Sequence, residues 1–181
     1  PDAGPLSEAL ALRRRGALTV IETRRMVDYL QRRDDIDGDR ICLLGASLGA
    51  MLGSTAAAFD TRLRAVVLTY GGGDLSLLLP SEQARRELGA WTPLAARIAA
   101  YLLAPADPVR YVDQIAPRPV LFQNGTRDTF IPPAAAQALF DAAREPKEMK
   151  WYDSDHIGLD PQHVRVVIED TIAWLQRQGI G

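Results

Sequence analysis

The sequence predicts an α/β fold, a doubly wound and mostly parallel sheet, and two observations carry the prediction. Three short runs at 41–44, 65–69 and 119–123, read as buried strands, and a fourth strand-like stretch at 148–152 alternate with stretches of helical periodicity, the pattern of parallel strands joined by crossover helices. Between the first run and the helix after it stands GASLG, residues 45–49. This puts Ser47 on the corner where a buried strand turns into a helix. At 181 residues with 47% hydrophobic and 24% charged content, the chain has room for one domain, 1–181, with a core of its own.

In order along the chain, Leu6, Leu10, Ala17, Val20, Ile21, Met26, Val27 and Leu30 recur at helical spacing over 6–33. Ser7 reads as the N-cap and Gly16 as a point of interruption. DIDGDR at 35–40 is a turn into the strand that holds Cys42. The next helix, from Leu48, offers Gly49, Gly53 and Ala56 to Ala58 as small contacts for the sheet. A turn at 60–64 leads to the second strand, ended by Tyr70 and the glycines 71–73. These lack the lysine of a phosphate cradle and read as a flexible pocket rim.

Residues 74–111 are rich in Leu and Ala, with Pro80, Pro93, Pro105 and Pro108 between short helical pieces. They read either as an insertion covering the strand ends like a lid or as a broken helix packed on the sheet. The third strand runs into the loop NGTRDTFIP at 124–132, and Pro132 or Pro133 opens a helix to about 144. After the fourth strand comes the loop DSDHIG at 153–158. A last amphipathic helix over 161–178 presents Val164, Val167, Ile168, Ile172 and Leu175 to the sheet.

Several function classes fall away on composition. Net charge is −2, and Arg13 to Arg15, Arg24, Arg25, Arg32 and Arg33 alternate with Glu22, Asp28, Asp34 and Asp35. They read as solvated helix faces and not as a nucleic-acid patch. Cys42, with no second thiol for a disulfide, reads as an inert core residue. No apolar run approaches a membrane span and the first residues show no signal peptide, so the expected setting is cytoplasmic with no membrane partner. No cofactor is implied.

The chemistry is read from three loops. A serine becomes a nucleophile when a base takes its proton, and the base needs an acid to fix its tautomer. Of the two histidines, His156 follows a strand directly and His163 lies in the first turn of the last helix. His156 is therefore the expected base. Asp128, just past the third strand, is the expected acid, with Asp74 as runner-up, while Asp153 and Asp155 read as solvated charges. The spacing of the glycines is assigned to crowding: residues two before and two after Ser47 must lack a Cβ. The N–H of Leu48, at the start of its helix, faces any oxyanion formed at Ser47. Tyr70 and Gly71 are candidates for the acyl-pocket wall.

Residues 34–181 resemble the C-terminal two-thirds of an α/β-hydrolase of the dienelactone hydrolase, acetyl esterase and prolyl-oligopeptidase-like group. DGDRICLLGASLGA, PRPVLFQNGTRDTFIP and SDHIG carry the resemblance, with Ser47, Asp128 and His156 in the order expected of that fold. It implies cofactor-free cleavage of a carboxylic ester, thioester, lactone or peptide through an acyl-enzyme, a small-molecule ester being the leading substrate. Within the same fold a peptidase or an acyltransferase is the alternative; outside it, an inactive hydrolase-fold module.

The chain departs from that group at its start. Such hydrolases have about four strands and a helix ahead of the segment that opens here, and no HG or GG pair precedes Ser47 to supply a second oxyanion donor. A sheet apparently lacking the N-terminal strands would leave the nucleophile strand with an open apolar edge. The expectation is a fragment or processed subunit completed by a complementary N-terminal segment, or a homo-oligomer associating edge to edge.

Overall fold

The computed structural model describes residues 5–80, 86, 89–156 and 160–180. Four strands, β1 (Cys42–Ala46), β2 (Ala65–Thr69), β3 (Val120–Gly125) and β4 (Lys147–Tyr152), form one all-parallel sheet in the order β1-β2-β3-β4. Register runs from Cys42 opposite Ala65, through Val66 opposite Val120, to Val120 opposite Lys147. The helices are α1 (Pro5–Leu30), α2 (Leu48–Phe59), α3 (Leu75–Leu78), α4 (Thr92–Leu103), α5 (Pro133–Ala142) and α6 (Pro161–Arg177). Strands begin and end within one or two residues of the stretches that predicted them.

Alternation along the strands divides the core. Val66 and Leu68 of β2 and Val120 and Phe122 of β3 meet Ala50 and Ala57 of α2, Val27 of α1 and Leu139 of α5 on one face. Ala65, Val67 and Leu121 meet Trp174 of α6 on the other. Both faces of β2 and β3 are covered, so every residue of the two strands is buried, as a parallel sheet requires. Burying each Val, Leu or Phe contributes about 1.5–3 kcal/mol. Arg62 fastens α1 to this layer, bonding Asp28 at 2.5 Å and Asp60 at 2.6 Å. No helix among the described residues is long and apolar enough to cross a membrane.

Five expectations change. Helix α1 runs unbroken through Gly16, and Ser7 lies inside it because it starts at Pro5; the side chains of Leu6 and Leu10 lie outside the described residues. The inward face of α6 is Val167, Thr171 and Trp174, while Ile168 and Ile172 are half exposed. The cause is polar. Buried Gln123 accepts from Thr69 Oγ1 and Thr171 Oγ1, each at 3.0 Å, and donates to Tyr152 Oη at 2.8 Å and the Val167 carbonyl at 3.1 Å. Satisfying a buried amide fixes which way the helix rolls.

Cys42 is only half-buried, and burial pushes its thiol pKa up. Its strand, β1, lies at the edge and pairs with β2 alone among the described residues, leaving Leu44 60% exposed. Nor are the glycines 71–73 a flexible rim. All three are buried, and a Cβ at Gly71 would meet Ala50 Cβ at 2.6 Å. Gly71 lets the end of β2 pass close under α2, whereas a Cβ at Gly72 would meet Ile131 Cγ2 at 2.8 Å and one at Gly73 would meet Val109 Cγ1 at 2.4 Å.

In the segment 74–111, α3 packs on α4, and the buried Asp107 carboxylate receives the N–H groups of Asp74 (3.1 Å) and Leu75 (2.9 Å). Residues 81–85, 87 and 88 of the expected lid lie outside the described residues. Leu94, Ile98 and Tyr101 of α4 are exposed, as is Trp91 just before it.

Candidate active site

Ser47 turns the corner between β1 and α2 at φ 53 and ψ −120, a region costly for a residue with a side chain. The surroundings hold it there. Its N–H donates to the Thr69 carbonyl at 2.9 Å and its own carbonyl accepts from Ala50 N at 3.0 Å. A Cβ at Gly45 would sit 2.3 Å from the Gly49 carbonyl oxygen, so crowding requires glycine there. At Gly49 a Cβ would meet nothing within 4 Å. The predicted need for glycine on both sides of the serine holds on one side only: position 49 approaches Gly45 through its carbonyl, and its Cβ direction points away.

Three loops meet at this corner. Asp128 Oδ1 accepts the N–H groups of Phe130 (2.8 Å) and Ile131 (2.7 Å), and its Oδ2 lies 2.7 Å from His156 Nδ1. His156 Nε2 lies 2.9 Å from Ser47 Oγ. The Asp128 side chain is 0% exposed and that of His156 21%. A carboxylate that only accepts places the imidazole proton on Nδ1 and leaves Nε2 free to receive one. The imidazole is flanked by rings, Phe130 at 5.2 Å and the edge-on Tyr70 at 5.7 Å.

The acid and base loops are also tied to each other. Thr126 N donates to the Tyr152 carbonyl at 2.8 Å and Arg127 N to the Ser154 carbonyl at 3.0 Å. Asp155 Oδ1 accepts from Thr129 N (2.8 Å), Thr129 Oγ1 (3.0 Å) and His156 N (2.7 Å). The backbone N–H of Thr129, and next that of His156, hold its carboxyl below the ordinary pKa. Asp155 is exposed, as its position predicts, and in addition clamps the two loops together. Asp153 also faces solvent, paired with Arg127 at 2.9 Å. Residues 157 and 158 of this loop lie outside the described residues.

Of the other candidates, Leu48 opens α2, so its N–H has no acceptor within the helix. Asp74 caps α3, accepting from Ser76 N at 3.1 Å. Tyr70 and Gly71 form no wall open to an acyl group. Tyr70 is 0% exposed, its hydroxyl bonded to Ser154 Oγ at 2.9 Å and to His163 Nε2, and Gly71 is buried against Ala50. The sequence does not single out Phe130, Thr129 or Ser154, and it offers Asp155 only as a solvated charge. Their only signal was the density of hydroxyls and acids in TRDTF and DSDH.

An apolar groove of about 350 Å³ runs between β1 and α6, lined by Leu44, Ala46, Thr69, His163, Ile168 and Ile172. Its lining stops at Ala46 and includes none of Ser47, His156 and Asp128. Among the described residues no group of three or more His, Cys, Asp or Glu stands ready for a metal ion.

Comparison with known proteins adds to this geometry. The model of the prolyl oligopeptidase family matches residues 12–179. YfhR of Salmonella typhimurium, an uncharacterized protein, is 31% identical over 151 residues, which cover 75% of this chain and 47% of YfhR. Dipeptidyl-peptidase 5 of Porphyromonas gingivalis is 29% identical over 160 residues, 83% of this chain and 23% of that protein. The chain therefore spans about half the length of the first of these curated relatives, and less of the second. Among solved structures, the α/β hydrolase GrgF from Penicillium sp. sh18 superposes with a TM-score of 0.71 at 15% identity, covering 90% of this chain and 72% of GrgF. An acetyl xylan esterase from Paenibacillus sp. R4 gives 0.66 at 22% identity, covering 85% of this chain and 51% of the esterase. At these identities the structures show a shared α/β-hydrolase fold.

Proposed function

The chain belongs to the prolyl oligopeptidase family, and from that premise we propose that it is a serine hydrolase cleaving a carboxylic ester through an acyl-enzyme. The reading rests on one observation, the unbroken line of hydrogen bonds from Ser47 Oγ through both nitrogens of His156 to Asp128. In this scheme Ser47 Oγ attacks the acyl carbon while its proton passes to His156 Nε2. Asp128 stabilises the resulting imidazolium and keeps its ring in place. The oxyanion takes the Leu48 N–H, and His156 returns the proton to the leaving alcohol. Water, activated by the same nitrogen, then releases the acid and restores Ser47.

Two pieces of the site are proposed from elsewhere in the molecule. The segment 74–111, with the apolar side chains Trp91, Leu94 and Ile98 exposed, serves as a cover over the acyl group. A second oxyanion donor comes from a segment lying along the open edge of β1, supplied by a longer polypeptide or by a second copy of the chain. A peptide substrate is the second reading, favoured by the family match and by the name of dipeptidyl-peptidase 5. Acyl transfer would use the same acyl-enzyme.

The test is intact mass after fluorophosphonate treatment of this chain and of Ser47→Ala, with the solution mass of the untreated assembly. A single adduct lost in the variant is expected, together with a fall of at least about 10⁴-fold in p-nitrophenyl acetate hydrolysis. A folded chain that takes no adduct overturns the proposal. Faster turnover of a dipeptide p-nitroanilide than of the ester would move the assignment to a peptidase.

A further inference from the structure

Behind the imidazole lies a second set of polar groups, Tyr70, Ser154 and His163, which take no part in the proposed chemistry. Tyr70 is wholly buried at the end of β2 with φ 52, and its N–H donates to the Gln123 carbonyl of the inner strand β3 at 2.6 Å. Its backbone is thereby fixed to the centre of the sheet. From there the side chain reaches beneath the loop after β4, with its hydroxyl 2.9 Å from Ser154 Oγ and hydrogen-bonded to His163 Nε2 at the start of α6.

A phenol removed from water keeps its place only if its hydroxyl is satisfied. Tyr70 brings one proton to two partners. If it donates to His163, Ser154 must donate to it; if His163 donates, Tyr70 gives its proton to Ser154. The three groups therefore form one coupled chain. Burial raises the Tyr70 pKa and keeps the hydroxyl protonated. Ser154 lies two residues before His156, and its carbonyl holds Arg127 N of the acid loop at 3.0 Å. The Tyr70 ring also stands edge-on to the His156 ring, at 5.7 Å and 76°.

Resting on the reading of Ser47, His156 and Asp128 given above, we propose that Tyr70 is a positioning residue for His156. It acts through Ser154, and His163 completes its hydrogen bonding. The hydroxyl locates the loop that carries the base, and the ring edge limits rotation of the imidazole. Removing either end of the Tyr70–Ser154 bond lets the base drift from Ser47 without touching substrate, so the loss falls on the rate of acylation and not on KM.

The chain has only two histidines, and both belong to this arrangement, so imidazole ¹⁵N spectra contain two rings. Tyr70→Phe, Ser154→Ala, Ser154→Thr and the double variant Y70F/S154A are compared with the parent, each well below its own melting temperature. Tyr70→Phe is expected to shift the His163 Nε2 resonance and to weaken the downfield proton on His156 Nδ1. Fluorophosphonate acylation should slow about tenfold in Tyr70→Phe and in Ser154→Ala. The double variant should slow by the same tenfold, since one bond is lost in all three, and Ser154→Thr, which keeps a hydroxyl, should recover most of the rate.

Losses that multiply in the double variant, or unchanged His156 signals and rates in both single variants, overturn the positioning role while leaving the serine-hydrolase reading intact. A parent chain that takes no fluorophosphonate, yet whose His156 proton weakens in Tyr70→Phe, overturns that reading and supports the positioning role.

Discussion

Ser47 is held in a conformation that costs a residue with a side chain about 1–3 kcal/mol, and two glycines that look equivalent in the sequence contribute unequally to holding it. Gly45→Ala would drive a methyl group into the Gly49 carbonyl, 2.3 Å away, and nothing flexible lies there to yield. It should destabilise the chain by about 3 kcal/mol or prevent folding. Gly49→Ala meets open space in the first turn of α2 and should raise stability by about 0.5–1 kcal/mol. Urea unfolding of both variants checks the pair; equal losses would show that the elbow is crowded on both sides. The five-residue pattern announced the corner but not this asymmetry, because spacing carries no information about the direction of a Cα–Cβ bond.

At the scale of elements, the strands were legible because β2 and β3 are buried on both faces and read as continuous apolar runs. Helix α6 was legible in extent but not in rotation. A count of apolar residues does not reveal that Thr171 turns inward to meet Gln123. The loops after β3 and β4 were legible as carriers of Asp128 and His156, whereas the bonds joining the loops run largely through backbone groups and a carboxylate beside the histidine. Asp155 is the clearest case. Asp155→Ala removes an acceptor shared by Thr129 and His156 and should slow fluorophosphonate labelling about tenfold while circular dichroism stays unchanged. An unchanged rate would mean that the remaining bonds between the loops suffice.

Across the whole molecule, ion pairs tie the helices to the sheet and give stability an acid limit. The bond from Lys150 holds Asp170 below the ordinary carboxylate pKa, and burial works against it. Burial also pushes Asp60 upward, but its bonds from Arg62 more than offset this and leave it lowered. Both carboxyls bind protons less readily folded than unfolded, so their contribution is complete above about pH 4 and is lost as pH falls through the lower folded values. Urea midpoints measured from about pH 6 down to about pH 3 should drop below about pH 4, and Asp170→Asn should flatten that drop. A slope left unaltered by the variant would place the acid sensitivity elsewhere.

The open edge of β1 has a mechanical consequence. Among the described residues Ser47 is carried by a strand with a neighbour on one side, whereas His156 and Asp128 sit on loops bound to each other and, through Tyr70, to the sheet centre. The serine thus takes its place from one strand pairing and from the turn into α2, and the base and acid take theirs from each other, so a contact along β1 is expected to act on the Ser47–His156 bond before the His156–Asp128 bond.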